Sequence, residues 1–516
     1  MVLLKTYVAA IGAASAAAAA GTCVPRPSAS NATCSGKTYT YNGLSGFGFV
    51  PSTFKDKQGD TISIGSSLAV DGWQRKGASY EATLYGLPDR GWNTEGTINY
   101  QARIHKFHLK FTPVKASAAN PGKPNIELDY LDSILLKGPD GQPTTGLDPD
   151  FTGGATYPGF PVLPAATYTG DGFGGPGAGG RRVSLDTEGL VLSKPDGGFW
   201  ISDEYGPYLY KFDSTGLMTM AVAPPNAILP LRNGTVSFPS DNPARYEPNN
   251  HPIPSDPTQG RHNNQGFEGL TISDDGKTLY VLLQSAAMQE GGLKKPNRRH
   301  ARFLAYALDQ GQAPVYKAEY VVPLPLYLDG QGNTRVAAQS EIHYAGGSQF
   351  LVLARDSGAG RAMDSTESKY RHVDVFDIAG ATNVAGPTYD SFNASIASSK
   401  GELKSGITPV TYCPFLDFND NAQLAKFGLH NGGAQDANLL NEKWEGLALL
   451  PVQGNNTLGA ANEYYLLAVS DNDFITQDGV MGGGLLPYKD SSGYNVDNQL
   501  LMFRVTLPEG SKPFAG

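Results

Sequence analysis

The chain has 516 residues, of which 40% are hydrophobic and 10% aromatic, and this apolar content excludes a disordered chain. Its 63 glycines and 36 prolines favour a fold rich in turns and leave little room for long helices. The formal net charge of −9 shows no basic surplus, which sets aside the class of nucleic-acid-binding proteins.

Residues 1–20 have the features of a secretory signal peptide. Lys5 supplies a short positive start, the stretch from Val8 to Ala20 is apolar and rich in alanine, and small residues precede Gly21. This stretch is too short for a membrane anchor, and no later segment stays apolar for about 20 residues. The sequence therefore predicts a secreted, extracellular protein without a membrane partner.

Three cysteines, Cys23, Cys34 and Cys413, remain after removal of the signal peptide. Cys23 and Cys34 lie close together and could form a disulfide in an oxidising compartment, which would leave Cys413 as a buried free thiol. A bridge between Cys34 and Cys413 is the alternative, and the spacing does not decide between the two. Four N-glycosylation sequons agree with a secreted glycoprotein; they begin at Asn31, Asn233, Asn393 and Asn455.

The chain after residue 61 consists of similar units. Each unit starts with a short polar motif, and apolar strands separated by Gly- and Asp-rich turns follow it. A degenerate first unit begins at Ser66, and the other four carry a glutamate in the motif, namely Glu188, Glu268, Glu341 and Glu445. The next strand ends in polar residues at a regular distance: Glu188 precedes Asp203 by 15 residues, Glu268 precedes Gln284 by 16 and Glu341 precedes Asp356 by 15.

Repeated units of three or four short strands predict an all-β fold, a β-propeller with four-stranded antiparallel blades around a central channel. We expect six blades, with Thr38 to Val50 helping to form the sixth. In this interpretation residues 21–60 are an N-terminal segment that completes the last blade, and residues 61–516 form the propeller. Glycine-rich residues 151–180 and Pro/Asn-rich residues 223–260 are predicted to be loop insertions at one face. A β-sandwich would not repeat a motif at one strand position, and a β-helix needs shorter repeats.

The repeated glutamates are candidate metal ligands. In a propeller the same position of each innermost strand faces the axis, so these carboxylates would converge and repel one another unless a cation lies among them. Ca²⁺ prefers such oxygen ligands. The alternative is that each glutamate pairs with an arginine, a lysine or a backbone donor. The predicted metal ligands are Glu188, Glu268, Glu341, Glu445, Asp471 and Asp473, and the predicted catalytic residues are Asp203, Glu204, Arg90, Arg355 and Asp356.

Familiar catalytic and nucleotide-binding motifs are absent from the sequence. Gly170 to Gly175 matches G-x-G-x-x-G, but it lies in a glycine-rich loop with no strand before it and no helix after it. The sequence contains no G-x-S-x-G, H-E-x-x-H, C-x-x-C or P-loop pattern. A nucleotide cofactor, a serine nucleophile of the α/β-hydrolase type and a zinc site of these kinds are therefore not expected.

Three linked motifs resemble the phytase-like family, also described as "esterase-like activity of phytase". They are the run from Asp186 to Leu190 with the following Asp203-Glu204-Tyr205-Gly206-Pro207, the run from Asn264 to Leu270, and Trp444 to Leu447. The likeness extends from about Ile62 to Val505. It implies a secreted or periplasmic propeller and hydrolysis of phosphoesters or other esters. The paired-aspartate and Asn-Asn-hydrophobic-Asp motifs of six-bladed alkaline phytases are not recognisable, so their mechanism cannot be carried over.

The sequence therefore predicts a secreted hydrolase that acts on phosphomonoesters or other esters, assisted by Ca²⁺. Arg90 and Arg355 would hold the anionic part of the substrate, because a guanidinium group binds two oxygens of one oxyanion. The substrate would be a small molecule or a polymer ester, and we expect a monomer that does not bind nucleic acid. The alternatives are a non-catalytic propeller that binds a cell-wall polymer or a protein, and a lactonase-type calcium propeller.

Overall fold

In a computed structural model the chain forms a β-propeller of five blades, each with four or more antiparallel strands. The structure describes residues 31–194, 196–309, 312–453 and 462–513. The predicted signal peptide, Cys23 and the sequon at Asn455 lie outside the described residues. The sequons at Asn31, Asn233 and Asn393 are exposed.

The first three blades lie in chain order after two N-terminal strands, and short hairpins separate them. The strands are β1 (Asn31–Cys34) and β2 (Lys37–Val50); in blade 1, β3 (Ser67–Lys76), β4 (Ser79–Leu87), β5 (Arg103–Phe111) and β6 (Ile126–Leu135); the hairpin β7 (Ala165–Tyr168) and β8 (Gly180–Val183); in blade 2, β9 (Thr187–Ser193), β10 (Gly198–Asp203), β11 (Leu209–Phe212) and β12 (Met218–Val222); the hairpin β13 (Leu231–Arg232) and β14 (Thr235–Val236); and in blade 3, β15 (Phe267–Ile272), β16 (Thr278–Leu283), β17 (His300–Ala307) and β18 (Val315–Pro323).

The remaining blades follow in the same manner, and the helices among the described residues are single turns. The strands are the hairpin β19 (Leu326–Leu328) and β20 (Thr334–Val336); in blade 4, β21 (Ala338–Gly346), β22 (Gln349–Arg355), β23 (Arg371–Asp377) and β24 (Thr411–Asp417); in blade 5, β25 (Trp444–Pro451) and β26 (Glu463–Ser470); the hairpin β27 (Gly479–Met481) and β28 (Leu486–Tyr488); and β29 (Asn498–Thr506) of blade 5. The helices are α1 (Pro387–Asp390), α2 (Asn421–Leu424) and the 3₁₀ turns Met288–Glu290, Lys295–Asn297, Ala425–Phe427 and Gly482–Gly484.

The N-terminal strand closes the ring. β2 pairs with β29 from Thr40 opposite Thr506 to Val50 opposite Asn498, and the strand order of blade 5 is β1-β2-β29-β26-β25. Thr38 to Val50 therefore joins the blade built by the C-terminal strands and does not build a blade of its own. The prediction of a β-propeller with four-stranded antiparallel blades is confirmed, but the prediction of six blades is wrong for this reason.

The innermost strands β3, β9, β15, β21 and β25 contact one another in a ring around the channel. Apolar side chains fill the space between neighbouring blades, for example where the ring of Phe350 lies 4.9 Å from that of Phe303 and 5.0 Å from that of Phe376. Full burial of one such side chain stabilises the fold by about 1.5–3 kcal/mol. Strands packed on both faces carry nearly continuous apolar sequence, such as the entirely buried β10 and β15.

A disulfide joins Cys34 at the end of β1 to Cys413 in β24, with a Cα–Cα distance of 5.7 Å. Of the two pairings that the sequence left open, the structure contains the long-range one, and Cys413 is not a free thiol. The bridge fixes the outermost strand of blade 5 to the outermost strand of blade 4. Within the described ranges, no helix has the length and apolar character needed to cross a bilayer.

We predict that Cys34→Ser lowers the free energy of unfolding by about 2–5 kcal/mol, because the crosslink restricts the unfolded chain over a loop of many residues. Thermal and urea unfolding of the oxidised protein measures this loss. The reductant dithiothreitol should produce the same loss in the wild type and none in the variant. Cys23→Ser is the matched control and should change nothing; an equal loss in Cys23→Ser would contradict the Cys34–Cys413 pairing.

Candidate functional site

A polar cavity of about 460 Å³ lies at the end of the channel where the innermost strands begin. Its wall comes from the starts of β9, β15, β21 and β25, from segments that precede these strands, and from residues at or after the ends of β4, β10, β16, β22 and β26. Most of the lining side chains are ionisable. The carboxylates are Asp89, Asp186, Glu188, Glu204, Glu268, Asp329, Glu442, Glu445 and Asp473, and the cations are Arg90, Lys295, Arg298, Arg335, Arg355 and Lys443.

Glu188, Glu268 and Glu445 occupy equivalent places in three innermost strands. Each lies at a β-bulge, where the innermost strand has one residue more than the strand beside it. A bulge re-aims the side chain it contains, and all three carboxylates line the cavity. All three are buried. The repeated sequence motif therefore brings three buried carboxylates to one end of the channel.

Glu341 is placed differently from the other three glutamates. In β21 the bulged residue is Ser340, so Glu341 takes the next position, which is a glycine in the other three strands. The Glu341 carboxylate accepts hydrogen bonds from the Ser67 hydroxyl at 2.5 Å, from the amide of Leu270 at 3.0 Å and from the amide of Ile342 at 2.9 Å. Ser67 belongs to β3, which is not a neighbour of β21 in the ring, so this side chain crosses the channel. Glu341 therefore spans the channel and does not line the cavity.

The first carboxylate cluster consists of Asp186, Glu188 and Glu204, whose oxygens lie within 4.8 Å of one another. Arg90 forms an ion pair with Asp186 at 2.7 Å, and Glu204 accepts a hydrogen bond from the amide of Gly266 at 3.1 Å. Among the described residues, no donor hydrogen-bonds to the Glu188 carboxylate. Among the described residues, these three buried carboxylates therefore share a single ion pair, that of Arg90 with Asp186, while Arg261 acts on the cluster from a greater distance.

The pKa values of this cluster reflect that imbalance. Burial, and then the carboxylates of Glu268, Glu204 and Asp186, raise the pKa of Glu188 well above its usual range. Burial, and then the charge of Asp186, raise the pKa of Glu204 to about 7, although Arg90 acts in the opposite direction. Such shifts arise where ionised carboxylates are desolvated without enough counter-charge.

The second carboxylate cluster, Asp89, Asp471 and Asp473, already contains a cation. The Lys443 ammonium lies 3.3 Å from Asp89 and 2.9 Å from Asp473. Burial raises the pKa of Asp89 to about 7, although the charge of Lys443 acts in the opposite direction. Burial alone would lower the pKa of Lys443, but the nearby carboxylates of Asp473, Glu445 and Asp89 raise it well above its usual range. Asp471 also accepts hydrogen bonds from Ser63 and from the amide of Asp473. Lys443 thus supplies an internal counter-charge beside the predicted metal ligands Asp471 and Asp473.

The remaining two bulge carboxylates have different partners. Glu445 forms an ion pair with Arg355, which also lies 3.8 Å from Glu442, and Lys443 lies 3.7 Å from Glu445. Glu268 accepts a hydrogen bond from the side-chain amide of Gln284 through Oε1, whereas its buried Oε2 has no partner. Oε2 of Glu445 also has no hydrogen-bond partner, but Arg355 and Lys443 lie beside this carboxylate, whereas among the described residues Glu268 has no ion-pair partner.

Two predicted catalytic residues do not line the cavity. Asp203 accepts hydrogen bonds from the amides of Asp186 at 2.8 Å and Gly206 at 3.1 Å. Asp356 accepts them from the Ser368 hydroxyl at 2.7 Å and the amide of Lys369 at 2.5 Å. Both aspartates hold loops in place, and Asp203 fixes the backbone of the first cluster. The other three predicted catalytic residues, Arg90, Glu204 and Arg355, line the cavity.

Sequence reasoning missed several lining residues. Asp186 and Lys443 each stand two positions before a repeated glutamate, so the motif itself held the signal for them. Lys295 and Arg298 come from a run of cations between β16 and β17, and Arg335 comes from the hairpin β19–β20. A scan for local charge, in place of the net charge, would have found that run.

We predict that Lys443→Met lowers the free energy of unfolding by about 3–5 kcal/mol, because it leaves buried carboxylates without their cation. Urea unfolding at neutral pH measures this loss. Lys295→Met removes an exposed cation of the same cavity and should change stability by less than about 0.5 kcal/mol. Equal effects of the two substitutions would contradict the role of Lys443 as the internal counter-ion.

Comparisons with known proteins give one family and one near relative. The family model described as "Phytase-like: Esterase-like activity of phytase" matches residues 74–474. An uncharacterized secreted protein of Arthroderma benhamiae is 52% identical over 472 residues, which cover 89% of this chain and 92% of that protein.

Solved structures are similar only at a distance. The catalytic domain of a Coprinopsis cinerea GH62 α-L-arabinofuranosidase is 10% identical, with 91% of this chain and 98% of that one covered and a TM-score of 0.29. A gluconolactonase of Xanthomonas campestris is 11% identical, with 87% and 98% covered and a TM-score of 0.20. Likenesses this distant add nothing to the assignment of a function.

Proposed function

Because the chain belongs to the phytase-like family, we propose that it is a secreted hydrolase that cleaves phosphomonoesters or other esters in the cavity at the end of its channel, assisted by Ca²⁺. Secretion is supported by the N-terminal segment and by the 52% identical relative, which is named as a secreted protein. We further propose that the protein acts as a monomer and has neither a nucleic acid nor a membrane as its partner.

The observation that carries the proposal is the contrast between the two carboxylate clusters. The second cluster contains Lys443, whereas the first has Arg90 on one of its three carboxylates and no donor on Glu188 among the described residues. Three carboxylate oxygens within 4.8 Å of one another suit a cation whose oxygen ligands lie at about 2.3–2.6 Å. The donors are all hard oxygens, which favours Ca²⁺ over a thiophilic metal. Asp186, Glu188 and Glu204 would hold it.

Ca²⁺ bound there would supply a Lewis acid that polarises a phosphoryl or carbonyl oxygen. Arg90 and Arg355 stand in the cavity wall, and each has a buried Nε without a hydrogen-bond partner. A guanidinium group can bind two oxygens of one oxyanion, so both residues are candidates for holding the anionic part of the substrate. The unpaired Oε2 of Glu268 is the group that can accept a proton from attacking water or give one to the leaving oxygen. Because Glu341 spans the channel, the substrate would enter and leave through the open end of the cavity.

We predict that calcium stabilises the wild type by about 2.7 kcal/mol at a concentration of about 100 times its Kd, because only the folded state binds it. In Glu188→Gln this stabilisation should be lost, while stability in the chelator EGTA should stay level or rise as carboxylate repulsion falls. Glu445→Gln is the matched control at the equivalent bulge. It should lose stability equally with and without calcium, because its counter-ion is Arg355. If calcium still stabilises both Glu188→Gln and Glu445→Gln, the assignment of the calcium site to the first cluster is wrong.

We predict that Glu268→Gln lowers turnover of an ester by about 10²–10⁴-fold, the usual contribution of a general acid or base. Its stabilisation by calcium should persist, since Glu268 lies outside the first cluster. The assay uses p-nitrophenyl phosphate and p-nitrophenyl acetate, with and without EGTA. A wild-type protein that is folded and calcium-loaded yet inert on phosphate and carboxylate esters would instead favour a non-catalytic binding module.

A further inference from the structure

A short basic segment stands out in this acidic chain. Lys294, Lys295, Arg298 and Arg299 place four cations within six residues, in a protein with a net charge of −9. They lie between β16 and β17, next to the 3₁₀ turn Lys295–Asn297. Concentrated like charge at one place is costly unless it is solvated or meets charge of opposite sign.

None of these four cations forms an ion pair with a described residue. The carboxylate of Asp256 is near enough to act on the Arg298 guanidinium, but the two form no ion pair. The one acidic residue between β16 and β17, Glu290, is fully buried, forms an ion pair with Arg302 and accepts a hydrogen bond from the amide of Ile396. The negative charge of this connection therefore points inward, whereas the ammonium groups of Lys294 and Lys295 are exposed.

Hydrogen bonds to neighbouring parts of the chain hold the segment in place. The Arg298 guanidinium donates to the carbonyl of Gly292 at 2.6 Å, and the carbonyl of Arg299 accepts from the amide of Leu324 at 2.7 Å. The amide of Ala286 also donates to the carbonyl of Arg298 at 3.1 Å. A surface fixed in this way binds a ligand with a smaller loss of conformational entropy than a mobile loop would.

The basic segment opens onto the cavity. Lys295 and Arg298 line its mouth, and Tyr327 and Arg335 of the neighbouring hairpin β19–β20 line it beside them. Lys294 and Lys295 are exposed, and Arg298 is half-buried. We call Lys294, Lys295 and Arg298 the basic rim.

We propose that the basic rim docks an acidic polysaccharide, so that an ester carried by this polymer reaches the cavity. The carboxylates of the polymer bind the ammonium and guanidinium groups, and a sugar ring can lie against the aromatic face of Tyr327. The proposal names a substrate class and rests on the proposed function for the reaction, whereas the docking itself rests on the rim alone.

Other polyanions fit this surface less well. Duplex DNA carries one negative charge per about 1.7 Å, and the carboxylates below the rim would repel such a dense polyanion. A flat anionic bilayer needs a protruding surface, but Arg298 is half-buried and lines the cavity. A single chain of an acidic polysaccharide can reach this half-buried group, and its charges are more widely spaced than those of duplex DNA.

The test measures binding of fluorescently labelled polygalacturonate to the full-length mature protein in EDTA, so that neither metal nor hydrolysis contributes. The rim variant Lys294→Gln/Lys295→Gln/Arg298→Gln is compared with a control variant, Lys76→Gln/Lys115→Gln/Lys123→Gln, which removes three exposed cations far from the cavity and has the same net charge. We expect the affinity of the rim variant to fall about tenfold and that of the control less than about twofold. Each exposed charge contact contributes only modestly to the binding free energy, so three rim contacts together account for the larger loss. Circular dichroism checks that both variants fold, and the single substitution Lys295→Gln serves as a second, milder rim variant.

Equal losses in the two triple variants would overturn the proposal, because binding would then follow net charge alone. It would also be overturned by equal binding to a neutral galactan, or by preferential binding to phosphatidylserine vesicles or duplex DNA. Docking that survives in EDTA while no ester of the polymer is cleaved in calcium would support the rim and refute only the proposed function.

Discussion

The organisation of this protein depends on how buried carboxylates find counter-charges at the axis of a ring. The innermost strands converge there, and a shared bulge points Glu188, Glu268 and Glu445 to the same small volume. Each carboxylate in a low-dielectric environment needs a proton, a hydrogen-bond donor or a cation. The three blades differ in how they meet this requirement. Arg355 pairs with Glu445 and Gln284 donates to Glu268, but among the described residues Glu188 has neither an ion-pair partner nor a hydrogen-bond donor. The pseudosymmetry of the blades brings the three carboxylates together, and the differences between their partners distinguish Glu188 as the candidate cation ligand.

Much of this arrangement could be predicted from the sequence, because equivalent strand positions repeat as a motif. Convergence of Glu188, Glu268 and Glu445 is of this kind. The expectation that Glu341 lies at the same place was based on a similar sequence motif. Strand pairing instead places Ser340 at the bulge and Glu341 one residue further along the strand. A shift of one residue sends a side chain elsewhere. That shift is decided by hydrogen bonds between neighbouring strands, which no single-strand pattern contains.

Long-range pairings were beyond prediction for a different reason. Lys443 belongs to the second carboxylate cluster only because Asp89 and Asp473 arrive there from separate loops. Its place two positions before Glu445 marks Lys443 in the sequence, but the sequence does not show which carboxylates will surround it. The prediction of six blades was wrong for a similar reason. The sequence shows five repeated units, and the N-terminal strand β2 does not build a sixth because it pairs with β29, at the other end of the chain.

The pairing of β2 with β29 has a consequence for the time at which the protein becomes complete. A chain made and exported from its N-terminus presents β2 long before β29 exists, so the first long strand waits with unpaired backbone groups until the last one is synthesised. Ring closure is thus the least local event in the structure and one that slows folding. The ring can therefore close only when the C-terminal strand is present. A truncated chain lacks the partner of β2 and exposes unpaired strand edges, which chaperones and proteases can recognise.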